Sequence, residues 1–209
     1  MLLTWLGQSG IKIVTGQTKI YIDPVDPHNA HEPADIIIVT HDHPDHFNLQ
    51  TIQRIIHDGT RILGTAAVAR ELHGAQILHE GETVAIGPIS IAATPAYTVR
   101  RDGHVRGEAI GAVLRIEDKN VYHLGDTDVI PEMRGIKADI VLVPISGVVT
   151  MNVTQAVEAV NMLKPKIAIP VHYGSRGGTA DDAELFKEYV EAKHETRVIV
   201  IKEGETIEL

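Results

Sequence analysis

The 209-residue chain contains no cysteine. That excludes disulfide staples and thiolate metal sites together, so any metal here must be held by nitrogen and oxygen. Positive charge is also scarce. Nineteen Lys and Arg stand against 28 Asp and Glu, a formal net charge of −9. An acidic chain lacks the basic face that neutralises a nucleic-acid backbone, so no long nucleic acid is expected as a partner. Long apolar runs are missing as well. No segment approaches the roughly 18 apolar residues of a membrane span. The opening "MLLTWLGQSG" has no basic region and only a brief apolar run, unlike a secretory signal. A cytoplasmic protein without a membrane partner is the expectation. With 44% hydrophobic and 22% charged residues, the chain can bury a core unaided, and one domain over 1–209 is expected.

Short apolar runs alternate with turn signals. "GIKIV" and "KIYIDP" flank "TGQT" and read as a hairpin. "ADIIIVT" (34–40) is a continuous apolar run, as a strand buried on both faces requires. Residues 48–57 carry Leu49, Ile52, Ile55 and Ile56 at helical spacing, with Asn48 as N-cap. A strand at "RILG" and a short helix over 65–74 closed by Gly74 follow. The middle of the chain reads as successive strands, ending in a hairpin that turns at "EDKN". "ADIVLVP" is another apolar run. Residues 154–165 read as a helix capped by Thr154 and stopped by Pro165, and "KIAIPVHYG" as a strand ending in histidine. Residues 179–193 open with a Thr-x-x-Asp capping box, and "RVIVI" and "ETIEL" close the chain as strands. "ADIIIVTH" and "KIAIPVHYG" echo one another, as two similar halves sharing a site would.

The segment that carries chemistry is "IIIVTHDHPDHFN" (36–48), in which His41, Asp42, His43, Asp45 and His46 crowd the end of an apolar strand. Imidazole and carboxylate are the ligands left for a borderline divalent ion when no thiolate exists. In an extended segment residues i and i+2 point the same way, so His41 and His43 can share one ion. Pro44 keeps His43 out of the helical region. The chain then turns towards Asn48, which aims Asp45 and His46 at a second point. Two further segments share this strand-then-ligand layout: "YHLGDTD" with Asp126 and "PVHYG" with His172. Alone, Asp126 reads as a turn residue and His172 equally as a ligand or as a support for one; together with the histidine cluster they complete a set.

With Asp23 in "YIDP", the His41–His46 cluster, Asp126 in "GDTD" and His172 in "PVHYG", the chain resembles the metallo-β-lactamase superfamily of metal-dependent hydrolases over essentially its full length. Through "TWLGQSG", "YIDP", "YHLGDTD" and "PVHYG" it is most similar to the small branch containing ascorbate-6-phosphate lactonase. The resemblance implies an α/β fold, the four-layer αββα sandwich, with the site at an edge between the sheets. It also exposes a departure. The family usually supplies a further histidine between the first cluster and the Gly-Asp turn, where this chain has "ATPAYT" with Tyr97. The next histidine is His104, in "RRDGHVRGE", and the expectation is that it swings in from its loop.

The resulting ligand set places metal 1 on His41, His43 and His104, metal 2 on Asp45, His46 and His172, and Asp126 between them. Asp23 is expected to orient the histidines from behind, with His123 in a similar supporting place. His28, His31, His57, His73, His79 and His194 have no assigned role. Zinc is the expected ion, in a pair; manganese and iron suit the same ligands. Such a pair holds a bridging water and lowers its pKa, with Asp45 or Asp126 as the catalytic carboxylate. Tyr97, Arg106 and Arg176, with Arg100 and Arg101 nearby, are candidate substrate contacts, since guanidinium suits phosphate or carboxylate. "GSRGG" around Arg176 reads as a flexible anion-binding loop. The branch implies a hydrolase for a small, anionic ester or lactone. A phosphodiesterase for a small phosphodiester and a non-catalytic metal-binding protein are the alternatives. The small-molecule substrate is the expected partner, and a homo-oligomer is left open.

Overall fold

Gly16 and Gln17 close the first hairpin in the computed structural model of the chain, which describes residues 1–26, 28, 30, 32–99 and 103–209. The hairpin joins Gly10–Thr15 (β2) to Thr18–Ile22 (β3), after an opening strand Leu2–Gly7 (β1). These strands run antiparallel. From β3 onward the ladder turns parallel, through Ile36–Val39 (β4), Arg61–Gly64 (β5) and Gln76–Ile77 (β6). Two helices make the crossovers, Leu49–Ile55 (α1) and Ala66–Glu71 (α2). Asn48 caps α1 by accepting from the Thr51 N–H at 3.1 Å. The helices cover one face of the sheet, where Tyr21, Ile37 and Val39 meet Phe47, Ile52, Ile55, Val68 and Leu72. Burying each such aliphatic side chain is worth about 1.5–3 kcal/mol. The last strand, Thr206–Glu208 (β14), returns to pair with β1. Met1–Leu78 and Ile201–Leu209 thus form one compact unit around a seven-stranded sheet, β14-β1-β2-β3-β4-β5-β6.

The second unit, His79–Val200, is built on the same plan. Thr83–Ile86 (β7), Ile89–Ala96 (β8), Ala109–Ile116 (β9) and Lys119–His123 (β10) form an antiparallel meander. Ile140–Pro144 (β11), Ile167–Val171 (β12) and Arg197–Val198 (β13) then continue in parallel, with Val153–Leu163 (α3) and Ala180–Glu191 (α4) as crossovers. The internal echo is therefore real, but its register differs from the expected one. The counterpart of β4 is β11, not β12. Ala34-Asp35 and Ala138-Asp139 precede the two strands. Asp35 accepts from the Lys19 N–H at 2.7 Å and Asp139 from the Asn120 N–H at 3.0 Å, each tying the first parallel strand to the end of its meander.

The α4 capping box is present: Thr179 Oγ1 accepts from the Asp182 N–H and Asp182 from the Thr179 N–H. At α3 the expected cap is corrected. Thr154 lies inside the helix and Asn152 caps it, accepting from the Gln155 N–H at 3.0 Å while Gln155 Oε1 accepts from the Asn152 N–H at 3.1 Å. Lys164, at φ 49, ends the helix ahead of Pro165. Among the described residues, no helix is long and apolar enough to cross a membrane.

Candidate metal centre

In the first unit the ligand candidates follow β4 directly. After β4 the chain turns at His43, the N–H groups of His46 and Phe47 donating to the His43 carbonyl at 2.9 and 2.8 Å. This brings the ligand atoms of His41 to within 4.8 Å of those of His43 and of His46, and those of Asp45 to within 4.8 Å of those of His46. Nε2 of His41 lies 3.1 Å from Nδ1 of His43. Behind them stands Asp23, fully buried and in the left-handed region at φ 48. It accepts from the Thr40 N–H and the Thr40 hydroxyl, both at 2.7 Å, and from His46 Nδ1 at 2.7 Å.

Those contacts fix the tautomers. Asp23 only accepts, so His46 carries its proton on Nδ1 and offers the Nε2 lone pair. The Thr40 hydroxyl has donated its proton to Asp23, so at His41 Nδ1, 3.0 Å away, it accepts. His41 therefore also offers Nε2. A buried carboxylate that sets ring orientation and ligand basicity in this way is the usual support for metal-binding imidazole. The expectation for Asp23 is met in geometry. Thr40 had not been singled out; its signal was a hydroxyl residue directly before the first histidine.

In the second unit, β10 runs into a turn that only glycine can make. Gly125 sits at φ 66, and a Cβ there would lie 2.6 Å from the Ile110 carbonyl oxygen. Its N–H donates to Nδ1 of buried His123 at 3.1 Å. The turn delivers Asp126, 1% exposed. Two imidazoles converge on its Oδ2: His172 Nε2 at 3.2 Å and His104 Nε2 at 3.4 Å. The edge of a tetrahedron with 2.0–2.1 Å metal–ligand bonds is about 3.3 Å. Each nitrogen–oxygen distance is that of two ligands of one zinc-like ion, with Asp126 Oδ2 common to both pairs. His172 follows β12 at φ 57, a conformation that costs a non-glycine residue about 1 kcal/mol or more and persists where surrounding structure demands it. His104 is no exposed loop histidine. It is 5% exposed, and its carbonyl and N–H bond to the Thr98 N–H (3.0 Å) and hydroxyl (3.2 Å).

The candidate substrate contacts divide. Arg106 is engaged by Glu80 and Glu132 and lies over the Tyr97 ring, while the Tyr97 hydroxyl donates to Glu132 at 3.0 Å. Burial, then Glu132, pushes the Tyr97 hydroxyl above its ordinary pKa. The Glu132 carboxyl is held below its own by its backbone N–H and then by Tyr97 and Arg106. Both shifts keep Tyr97 a neutral donor to an ionised Glu132. The structure gives these two residues a place in a network within the protein rather than at a free anion site. Arg176 is exposed. Its loop is packed rather than loose: a Cβ at Gly177 would meet the Ser146 carbonyl at 2.7 Å and one at Gly178 the Ile145 carbonyl at 2.9 Å. Arg100, Arg101 and His31 lie outside the described residues. His28, His57, His73 and His79 are exposed and His194 is half-buried.

Comparison with known proteins points the same way. The chain matches the Beta-lactamase superfamily domain over residues 2–172. A UPF0173 metal-dependent hydrolase of Methanosarcina mazei is 34% identical, the alignment covering 99% of this chain and 98% of that protein. One of Archaeoglobus fulgidus is 33% identical, covering 100% and 99%. A crystal structure from Parabacteroides distasonis superposes with a TM-score of 0.87 at 30% identity, covering 95% of this chain and 91% of that one. Igni18, a metallo hydrolase from the archaeon Ignicoccus hospitalis, gives 0.82 at 27%, covering 99% and 97%. The two mixed sheets with their helices are thus the expected α/β fold class. A family match over residues 2–172, with relatives more than 30% identical over nearly the whole of both chains, makes the chain a member of the metallo-β-lactamase superfamily of metal-dependent hydrolases.

Proposed function

We propose that the two clusters supply the ligands of one binuclear centre and that the protein hydrolyses a small, anionic ester or lactone. The reading keeps His41, His43 and His104 for one ion, Asp45, His46 and His172 for the other, and Asp126 for both. The observation that carries it is the approach of two imidazole nitrogens to Asp126 Oδ2, at 3.2 and 3.4 Å, each pair spaced as two ligands of one ion with the aspartate common to both. Bound divalent ions, zinc first among them, supply Lewis acidity towards a carbonyl or phosphoryl oxygen and a water acidic enough to attack at neutral pH.

The chain's own residues do the rest. Asp23 and Thr40 hold His41 and His46 in the tautomer that offers Nε2. Asp45, part-exposed on the turn, would accept the proton of the attacking water. Arg176, on a loop fixed by two glycines, is the remaining described candidate for an anionic group on the substrate. The net charge of −9 favours a small substrate over a nucleic acid, and a cytoplasmic location accords with it.

Metal analysis of saturated protein is expected to find two ions per chain. His172→Ala is expected to lose one of them and nearly all turnover; unaltered metal content and activity would remove His172 from the site. Lactones, thioesters and small phosphodiesters assayed side by side decide the substrate class. Turnover confined to phosphodiesters overturns the ester reading. Metal binding without turnover of any member favours a non-catalytic role.

A further inference from the structure

A metal ligand on a loop must lose its freedom when the ion binds unless something has already fixed it. His104 sits between β8 and β9, on such a loop. Its base is closed by the pair of hydrogen bonds to Thr98. The second tie is made by Arg106, two residues on. Nη2 and Nε of Arg106 donate to Glu80 Oε1 and Oε2 at 2.6 and 3.3 Å, and Nη1 donates to Glu132 Oε1 at 2.7 Å. The guanidinium carbon lies 5.4 Å from the centre of the Tyr97 ring. Both carboxylates belong to the framework. Glu80 lies in a turn whose Gly81 N–H donates to Ala93 of β8, at 2.9 Å. Glu132 lies in the short 3-10 turn Pro131–Met133, and its Oε2 also holds the Tyr97 hydroxyl.

An isolated surface ion pair contributes little, but bidentate arginine geometry within a network is the exception. Here every guanidinium nitrogen is engaged and the ring covers one face. We propose that Arg106 is a positioning residue that locks the loop so that His104 meets Asp126 before the metal arrives. Arg106 thus does for the loop histidine what a strand end does for His172. The inference rests on the metal reading above.

The test compares Arg106→Ala, Arg106→Lys and Glu132→Gln with His104→Ala. Zinc affinity is read by competition with a chromophoric chelator, and the urea midpoint of the metal-free protein reports folding. In Arg106→Ala the weaker of the two ions is expected to bind about 10–100-fold less tightly, the range for lost ligand support. Arg106→Lys should recover part of that, and Glu132→Gln should fall between. In the His104→Ala background Arg106→Ala should add nothing, because the histidine it positions is gone. Folded Arg106→Ala with wild-type affinity for both ions overturns the lock. So does an equal loss with and without His104, which would leave the network a structural support only. Should Arg106→Ala not fold, the two conservative variants carry the same comparison. Wild-type protein that takes up no metal overturns the metal reading and the lock together. Metal uptake by wild type with the variants unaffected overturns the lock alone.

Discussion

Asp23 and His172 both hold left-handed backbone, at φ 48 and 57, and both do so beside a candidate ligand set. Asp23 is the more consequential. Its carboxylate takes three hydrogen bonds, from the Thr40 N–H, the Thr40 hydroxyl and His46 Nδ1. Asp23→Ala is expected to weaken metal binding about 10–100-fold. It should also cost about 1–3 kcal/mol of stability, because the Thr40 N–H is left buried without an acceptor. A zinc titration and a urea unfolding curve measure the two effects separately. Asp23 was legible through the resemblance carried by "YIDP"; its place before Pro24 alone suits a turn residue equally well. The return of His104 to Asp126 was a weaker inference. It depends on Thr98 and on Glu80 and Glu132, the latter two 26 residues from Arg106 in the chain, and nothing local in "RRDGHVRGE" encodes those meetings.

At the scale of elements, local patterns placed several elements whose partners are local. The first hairpin, α1 with its Asn48 cap and α4 with its capping box form where the sequence places them. The start of α3 shows the limit. Asn152 and Thr154 are both cap-forming types, and the glutamine three residues after Asn152 decides between them by completing the reciprocal pair. Asn152→Ala is accordingly expected to cost about 1 kcal/mol. Thr154→Ala should change stability little, as an alanine inside a helix is favourable. Thermal or urea unfolding of the two variants distinguishes them. "RVIVI" shows another limit. Four of the five residues are β-branched strand formers, yet only Arg197 and Val198 form β13. β12 runs on to Val171 while its ladder with β13 stops at Ala168, and propensity along one strand carries no record of where the chain leaves its neighbour.

On the scale of the whole molecule, the echo between apolar strands is a repeat of topology, in which the matching strands β4 and β11 share a preceding Ala-Asp and not a following histidine. Stability as a whole is expected to depend on pH through the segment that follows β3. Glu32 there meets Lys12 at 2.6 Å and Lys19 at 2.9 Å. Lys12 first and Lys19 second hold its carboxyl at about 2, against an ordinary 4.5. A lowered pKa means the folded state favours the ionised form. The contribution is therefore complete above pH 4.5 and is lost as pH falls from 4.5 towards about 2. Since Glu32 is 39% exposed, solvent screens much of it. The urea midpoints of wild type and Glu32→Gln should differ above that window and converge within it; a constant difference across it would assign the effect elsewhere.

The pairing of β1 with β14 bears on the order in which the protein takes shape as it is synthesised. Leu3 lies opposite Ile207, so a strand made at the outset waits for one made about two hundred residues later. The second unit runs unbroken from His79 to Val200 and can assemble on the emerging chain with all its strands in hand. The first unit cannot complete its sheet until Thr206–Glu208 has been made. Until then β1 is an open edge, and a nascent chain halted before Thr206 offers that edge to any other strand within reach.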